Sequence, residues 1–467
     1  MSEPSGRVLW RYSASELAAV IAGGQASSVD VVSAHIDRIA EVNPKLNAIT
    51  VEMADEALAA ARRADATAQD DRGPLHGVPF TIKENIDQMG YATTNGVAAL
   101  AEAEPSEDAV TVARMKAAGA IAIGRTNLPE FGLRVATENA FRGRTMNPWS
   151  RDHTAGGSSG GEGSAIASGM SPIGIGNDIG GSIRNPALCC GGAGLKATSG
   201  RIPRVMSNPP GDPGLSGQLM SVEGPMARTI ADLRLGLEVM AGRSPRDPRT
   251  VDAPLFGAPA VKRAGVVRSI PGVDLSEGAL GAVDEAAAAL EADGWQIDYV
   301  DPPELERVKE VWAHLLAFDF RSTIDMLDLV MGDDEVELLR TLIEWCRFED
   351  PSEATLFTER SRIQRAWSQV FSEHSVLLGP GWTTPPFEHG EDVAAGRQLD
   401  ILHERLGFIV PANVLGFPAV ALSTGVHDGL PVGVQVYADH WREDLCLAAA
   451  AVVEAENPAP TPIDPVF

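Results

Sequence analysis

A chain of 467 residues, 44% of them hydrophobic, holds enough apolar material for a large globular core, and its formal charge of −26 at pH 7 opposes nucleic-acid and anionic-membrane partners by long-range repulsion. The N-terminal MSEPSGRVLWRYS lacks the apolar core of a secretory signal, and nowhere do about 18 apolar residues run together to cross a bilayer. Cys189, Cys190, Cys346 and Cys446 form no CxxC pair, so neither zinc nor a disulfide framework is expected, and the reading is a cytoplasmic protein with reduced thiols.

Ser27 or Ser28 is the expected N-cap of a first helix whose Val29, Val32, Ile36 and Ile39 share a face and which Asn43-Pro44 ends. An alanine-rich helix follows over about 53–66. After the turn Gly73 to Gly77, Val78 to Lys83 reads as a strand. The chain has six lysines, and Lys83 is the one that ends an apolar strand. Two readings stand: an amine buried and driven toward its neutral form, or a packed stem whose head reaches water. Residues 109–118 read as helix, and Ala120 to Gly124 as the fully apolar strand that a buried parallel sheet requires. Alternation of such strands with helices makes α/β the fold class. Residues 141–154 are polar, contain Asn147-Pro148 and read as loop.

The centre of the chain, Ala155 to Arg184, reads AGGSSGGEGSAIASGMSPIGIGNDIGGSIR and carries two glycine-flanked serines, Ser158 and Ser182, 24 positions apart. A helix, a tight turn and a strand are predicted between them. The run Asp178-Ile179-Gly180-Gly181-Ser182 can aim several N–H donors at one oxygen, as an oxyanion hole requires. Beyond it, Gly194 to Arg201 is turn-rich, and Gly224 to Arg228 leads into a helix over about 229–241. Residues 243–258, rich in Pro, Arg and Asp, mark a candidate linker. Strands near 266–267 and 297–300 flank a helix near 277–292. Residues 303–375 read as mostly helical and carry Trp312, Phe318, Phe320, Trp345, Phe357, Trp367 and Phe371, as core or as walls of a pocket. Val376 to Pro380 and Val432 to Val436 read as strands, and the chain from Asn457 as extended.

Gly156-Gly157-Ser158-Ser159-Gly160 formally fits the G-x-S-x-G nucleophile elbow, but the elbow needs an apolar strand before it and a histidine later. The preceding residues are polar, and neither His389 nor His440 sits in a recognisable motif. A phosphate cradle lacks its Gly-Lys-Ser/Thr and its strand–GxGxxG–helix context, and no metal-ligand spacing occurs. The remaining reading is a serine nucleophile with a lysine base. Here the sequence resembles the amidase signature hydrolases. Gly73 to Asn85 is similar to the family's lysine strand; Gly156 to Gly161 and Asn177 to Pro186 are similar to its signature. Gly194-Leu195-Lys196, Gly224 to Arg228 and Leu430 to Gln435 fit later landmarks.

The resemblance implies a large mixed, twisted sheet covered by helices on both faces. It implies one domain over 1–467, with a core at 70–240 and a variable, mostly helical region at 245–400 that shapes the substrate pocket. It implies Ser182 as acyl-forming nucleophile and Ser158, after a cis Gly157–Ser158 peptide, as its bridge to the base Lys83. Backbone N–H groups of Ile179, Gly180, Gly181 and Ser182 would hold the oxyanion, with Asp178 and Arg184 as a structural pair and Ser159, Asn177 and Thr198 as supporting donors. Phe131, Gly132 and Leu133 match a segment near the family's acyl pocket. The implied activity is hydrolysis of a carbonyl–nitrogen bond in a small-molecule amide, with an apolar aryl or alkyl acyl group favoured and no cofactor or metal. Carbamates and hydrazides remain open, as does a non-catalytic or amidotransferase-type subunit. The amidotransferase subunit usually carries Thr and Tyr where this chain has Ile179 and Ser199. A homodimer is common in the family and is not legible here.

Overall fold

The computed structural model describes residues 8–207, 212–346 and 351–467. The first seven residues of the N-terminal stretch read above, and 347–350 of the helical region, lie outside them. Thirteen strands are present among the described residues: β1 Ile49–Glu52, β2 Pro79–Lys83, β3 Ile121–Thr126, β4 Met146–Asn147, β5 Ser150–Thr154, β6 Ile173–Asp178, β7 Ala193–Lys196, β8 Val222–Ala227, β9 Arg263–Val266, β10 Gln296–Tyr299, β11 Val376–Pro380, β12 Ala419–His427 and β13 Leu430–Tyr437. All but β4 and β5 join one mixed sheet, in the order β1-β3-β2-β6-β8-β7-β12-β13-β11-β9-β10. This is the α/β architecture expected.

Alternation along the strands assigns the two faces. Phe80, Ile82, Val420, Val434 and Val436 join one core with the helices Ile230–Met240, Glu277–Ala292 and Glu443–Glu456. Leu377, Ala419, Ala421 and Tyr437 face the other way, into a core built on the helices Leu305–Leu327 and Glu353–Glu373. Thr81 and Lys83 alternate with Phe80 and Ile82, so they point away from the first core. Strand β2 runs parallel to both of its neighbours, β3 and β6. The carboxyl ends of three central strands therefore open on one edge, where loops in α/β sheets gather ligands.

Several sequence readings change. The helix Ser28–Leu46 runs through Pro44 rather than ending there, and a helix that the sequence reading did not name, Ala14–Ala22, precedes it. Proline in the last turn forfeits a single backbone bond, and the helix stops at Asn47, whose backbone is left-handed with φ 48°. The Asn43 side chain also accepts from the N–H groups of Ala48 and Ile49. The stretch read as loop at 141–154 contains the β4–β5 hairpin. Gly194 to Lys196 lies in β7 and Gly224 to Ala227 in β8, both inside the sheet. Glycine is needed there: a Cβ at 224 would lie 2.3 Å from the Leu195 carbonyl oxygen. Among the described residues no helix is long and apolar enough to cross a membrane.

Candidate active site

Lys83 is the last residue of β2, and none of it reaches solvent. That excludes the reading in which its head reaches water. Its Nζ donates to Ser158 Oγ at 2.7 Å and to Asn177 Oδ1 at 2.7 Å. The Asn177 amide is itself oriented, donating from Nδ2 to Asn85 Oδ1 at 2.8 Å. Burial lowers the Lys83 amine to about 7; Arg204 pushes the same way, and Asp178 and Glu162 oppose it. A substantial neutral fraction therefore exists near neutrality. Asn177 Oδ1 can only accept, so it takes an N–H of the amine and leaves the lone pair free to face Ser158. In the neutral amine the same 2.7 Å contact can then run in reverse, from the Ser158 hydroxyl to nitrogen.

Ser158 lies between the β4–β5 hairpin and the helix Gly160–Ala167, and the Gly157–Ser158 peptide is cis. Gly157 sits so close to the 134–136 backbone that a Cβ would fall 2.6 Å from Val135 C. Ser182 follows β6 on the loop before the helix Arg184–Cys190. The carbonyl of Ser182 accepts from the Ser159 N–H at 3.1 Å, which ties the two serine loops together. Among the described residues no hydrogen bond joins the two serine hydroxyls in this resting arrangement.

The loop 178–182 is held from beneath. Asp178 Oδ1 accepts from the Gly181 N–H at 2.7 Å, and Arg184 Nε donates to Asp178 Oδ2 at 3.0 Å. Burial alone would raise the Asp178 carboxyl; Arg184, Asn413 and the Gly181 N–H outweigh it and hold the group well below the usual carboxylate range. Gly181 has φ 100°, a conformation that favours glycine. Of the four N–H groups expected to meet an oxyanion, that of Gly181 is thus engaged by Asp178. Those of Ile179, Gly180 and Ser182 have no protein acceptor among the described residues and are free to meet a ligand. Trp312 Nε1 donates to the Ile179 carbonyl at 2.9 Å and fixes the other side of the loop.

A cavity of about 650 Å³, counted with its open mouth, rises from these groups. Gly132, Leu133, Ile179, Gly180 and Ser182 line it toward the loops; Trp312, Leu316, Phe320, Leu339, Leu342 and Leu406 form apolar walls, with Arg134, Asp392 and Gln398 as polar members. Phe131 is not among its lining residues and packs against the Leu327, Met331, Val336 and Leu339 cluster instead. Thr198 lies elsewhere too: its N–H donates to Glu443 Oε1 at 2.8 Å, and its hydroxyl accepts from the Trp441 N–H at 2.9 Å. Of the aromatic set, Trp312 and Phe320 line the cavity, Trp367 is core, and Phe318, Trp345 and Phe357 are more than a third exposed. Sequence reasoning missed the Arg134–Asp392 pair and the Trp312 N–H contact, because no local pattern links residues so far apart. Among the described residues no group of three His, Cys, Asp or Glu side chains could hold a metal ion.

The chain matches the Amidase family over residues 30–447. It is 39% identical to the indoleacetamide hydrolase of Bradyrhizobium diazoefficiens, over 97% of this chain and 87% of that protein. It is 33% identical to the acylamidase of Rhodococcus erythropolis, over 96% and 95% respectively. The fold is also that of a crystal structure of a bacterial aryl acylamidase, with TM-score 0.82, 26% identity and coverage of 98% of this chain and 100% of that one.

Proposed function

The chain belongs to the amidase family and is an amide hydrolase, and from that premise we propose that it cleaves small primary amides with an aromatic acyl group, arylacetamides of the indole-3-acetamide kind, through an acyl-enzyme on Ser182. The observation that carries the mechanism is the buried Lys83 amine, 2.7 Å from Ser158 Oγ, beside a loop whose Ser182 opens onto an apolar cavity. The substrate class is supported by the aromatic and leucine walls, and by the 39% identity to a protein named for indoleacetamide hydrolysis.

Neutral Lys83 takes the Ser158 proton while Ser158 takes that of Ser182, and Ser182 Oγ bonds to the amide carbonyl carbon. The electron pair displaced onto the carbonyl oxygen meets the free N–H groups of Ile179, Gly180 and Ser182; loss of one such donor typically costs about 100- to 1000-fold. Ser158 then passes its proton to the departing nitrogen and recovers one from Lys83. The C–N bond breaks, and ammonia leaves. Water attacks the ester by the same relay, releasing the carboxylate and restoring Ser182.

Kinetics on indole-3-acetamide, phenylacetamide, an alkyl amide, a carbamate and a hydrazide test this reading. The arylacetamides should lead by at least about tenfold in kcat/KM, a difference of the size that apolar pocket contacts supply. Ser182→Ala should abolish both turnover and covalent labelling by a fluorophosphonate. Faster turnover of the carbamate or hydrazide would replace the proposed substrate, and labelling that survives Ser182→Ala would remove the proposed nucleophile.

A further inference from the structure

Glu162 is a buried acid beside the base that the reaction above does not use. It lies in the first turn of the helix Gly160–Ala167, and none of it reaches solvent. A carboxylate in such a place is costly unless it is hydrogen-bonded. Thr81 Oγ1 donates to its Oε2 at 2.6 Å, and Thr126 Oγ1 donates to its Oε1 at 2.9 Å. Both threonines are neighbours of Lys83. Thr81 stands two residues before it on β2, so the two side chains share a face. Thr126 is its register partner on β3. Opposite Thr81 on β6 stands Gly174, where a Cβ would fall 2.0 Å from Glu162 Oε2. Only glycine at 174 leaves room for the carboxylate, so the seat is built by three strands at once.

We propose that Glu162 is a positioning residue for the base: its buried carboxylate is the counter-charge that holds the Lys83 ammonium in place between turnovers and so sets how readily the amine is armed. This rests on Lys83 being the base. Two hydroxyl donors on one carboxyl group favour its ionised form. Lys83 also feels the charges of Asp178 on β6, which favours its ammonium, and of Arg204 beyond β7, which opposes it. Asp178 is matched by Arg184, which leaves Glu162 as the negative charge without an arginine of its own. The other charged groups on elements packed against its helix are engaged elsewhere. Arg125 donates from Nη2 to the Glu84 and Ile86 carbonyls, its Nε and Nη1 making no hydrogen bond among the described residues, while Glu52 accepts from Asn43 and Glu223 accepts from Thr111. Burial moves Glu162 up to about 7, against its threonine bonds and Lys83, so acid and amine titrate as a pair.

The test is the pH dependence of two quantities in the full chain and in Glu162→Gln: kcat/KM on an arylacetamide, and the rate of fluorophosphonate labelling. Glutamine keeps the size, and a threonine hydroxyl can turn to accept from its amide. Without the negative charge the ammonium loses support, so the acid limb of both profiles should move at least about half a unit to lower pH, with plateaus within about threefold of wild type. A limb that stays put or moves to higher pH, while Lys83→Ala loses at least about 100-fold in rate, overturns this role alone. Wild-type labelling in Lys83→Ala would instead overturn the base assignment and this proposal with it. Should Glu162→Gln fail to fold, Thr126→Val removes one donor and must shift the limb the same way by a smaller amount; no shift there overturns the role equally.

Discussion

A lysine amine with no exposure, bonded to one hydroxyl and one amide oxygen, constrains its own protonation and, through it, the pH response of the site. Since the neutral form is the one that accepts a proton, kcat/KM should rise with pH through about 7 and level above it. A profile with no acid limb would remove Lys83 as base. Lys83→Ala should lower kcat by about 100- to 10,000-fold, the span of general acid–base effects, and steady-state kinetics will read it. The same burial carries a stability signature. The folded-state amine sits near 7 and the unfolded one near 10.5, so between these values the unfolded chain binds the extra proton. Stability then rises with pH across that window by a few kcal/mol on account of this group. In Lys83→Met this contribution to the slope should vanish, as chemical unfolding at a series of pH values will reveal.

At the scale of the element, the loop between β6 and the helix Arg184–Cys190 is shaped by what lies under it. Arg184 spends its guanidinium on Asp178, the Ile409 carbonyl at 2.7 Å, Gln435 Oε1 at 2.5 Å and Asn413 Oδ1 at 2.7 Å. Arg184→Leu would leave Asp178 charged and buried without its partner, at a cost of about 3–5 kcal/mol, seen as a lower Tm. Trp312→Phe removes the N–H that holds the Ile179 carbonyl while keeping most of the aromatic wall. It should lower kcat more than it raises KM, since in the proposed mechanism the donors it steadies meet charge that develops in the transition state. An effect on KM alone would place Trp312 as wall only. Local chemistry made the turn readable: clustered glycines mark a backbone that other residues adopt rarely, and one of them sits at φ 100°. It could not reveal that the Gly181 N–H is spent on Asp178, because that bond depends on how the loop closes over its own carboxylate.

At the scale of the molecule, a buried ion cluster ties the helical region to the loop that follows β3. Arg134 donates to Asp392 from Nε at 3.0 Å and Nη2 at 2.9 Å, and to Glu335 Oε1 from Nη1 at 2.6 Å. It thereby joins the segment that carries Gly132 and Leu133 to the helix Asp333–Trp345 and to the turn at 391–393. Arg134→Met should cost about 3–5 kcal/mol of stability by stranding two carboxylates. It should also raise KM for arylacetamides by about tenfold or more as the cavity wall loosens, with a smaller change in kcat. Thermal unfolding and Michaelis kinetics measure the two separately. An unchanged KM would mean that this cluster supports the fold without shaping the pocket.

Short-range order was open to inspection in the chain alone. The apolar run ending in Lys83, the glycine-set serines and the alternation of strand and helix each encode a local conformation through φ/ψ limits and side-chain period. Where local rules competed with packing they misled, as at Pro44, which the tertiary structure carries inside a helix, and at 141–154, where pairing makes a hairpin from polar residues. The burial of Lys83 was decided only when β2 took its place between β3 and β6, and when the helix Gly160–Ala167 brought Glu162 beside it. The distant partners, Glu335 for Arg134 and Asn413 for Arg184, each more than 200 positions away, were decided the same way. Which distant segment completes a hydrogen bond depends on strand order and crossover path, and those are properties of the assembled sheet, not of any stretch within it.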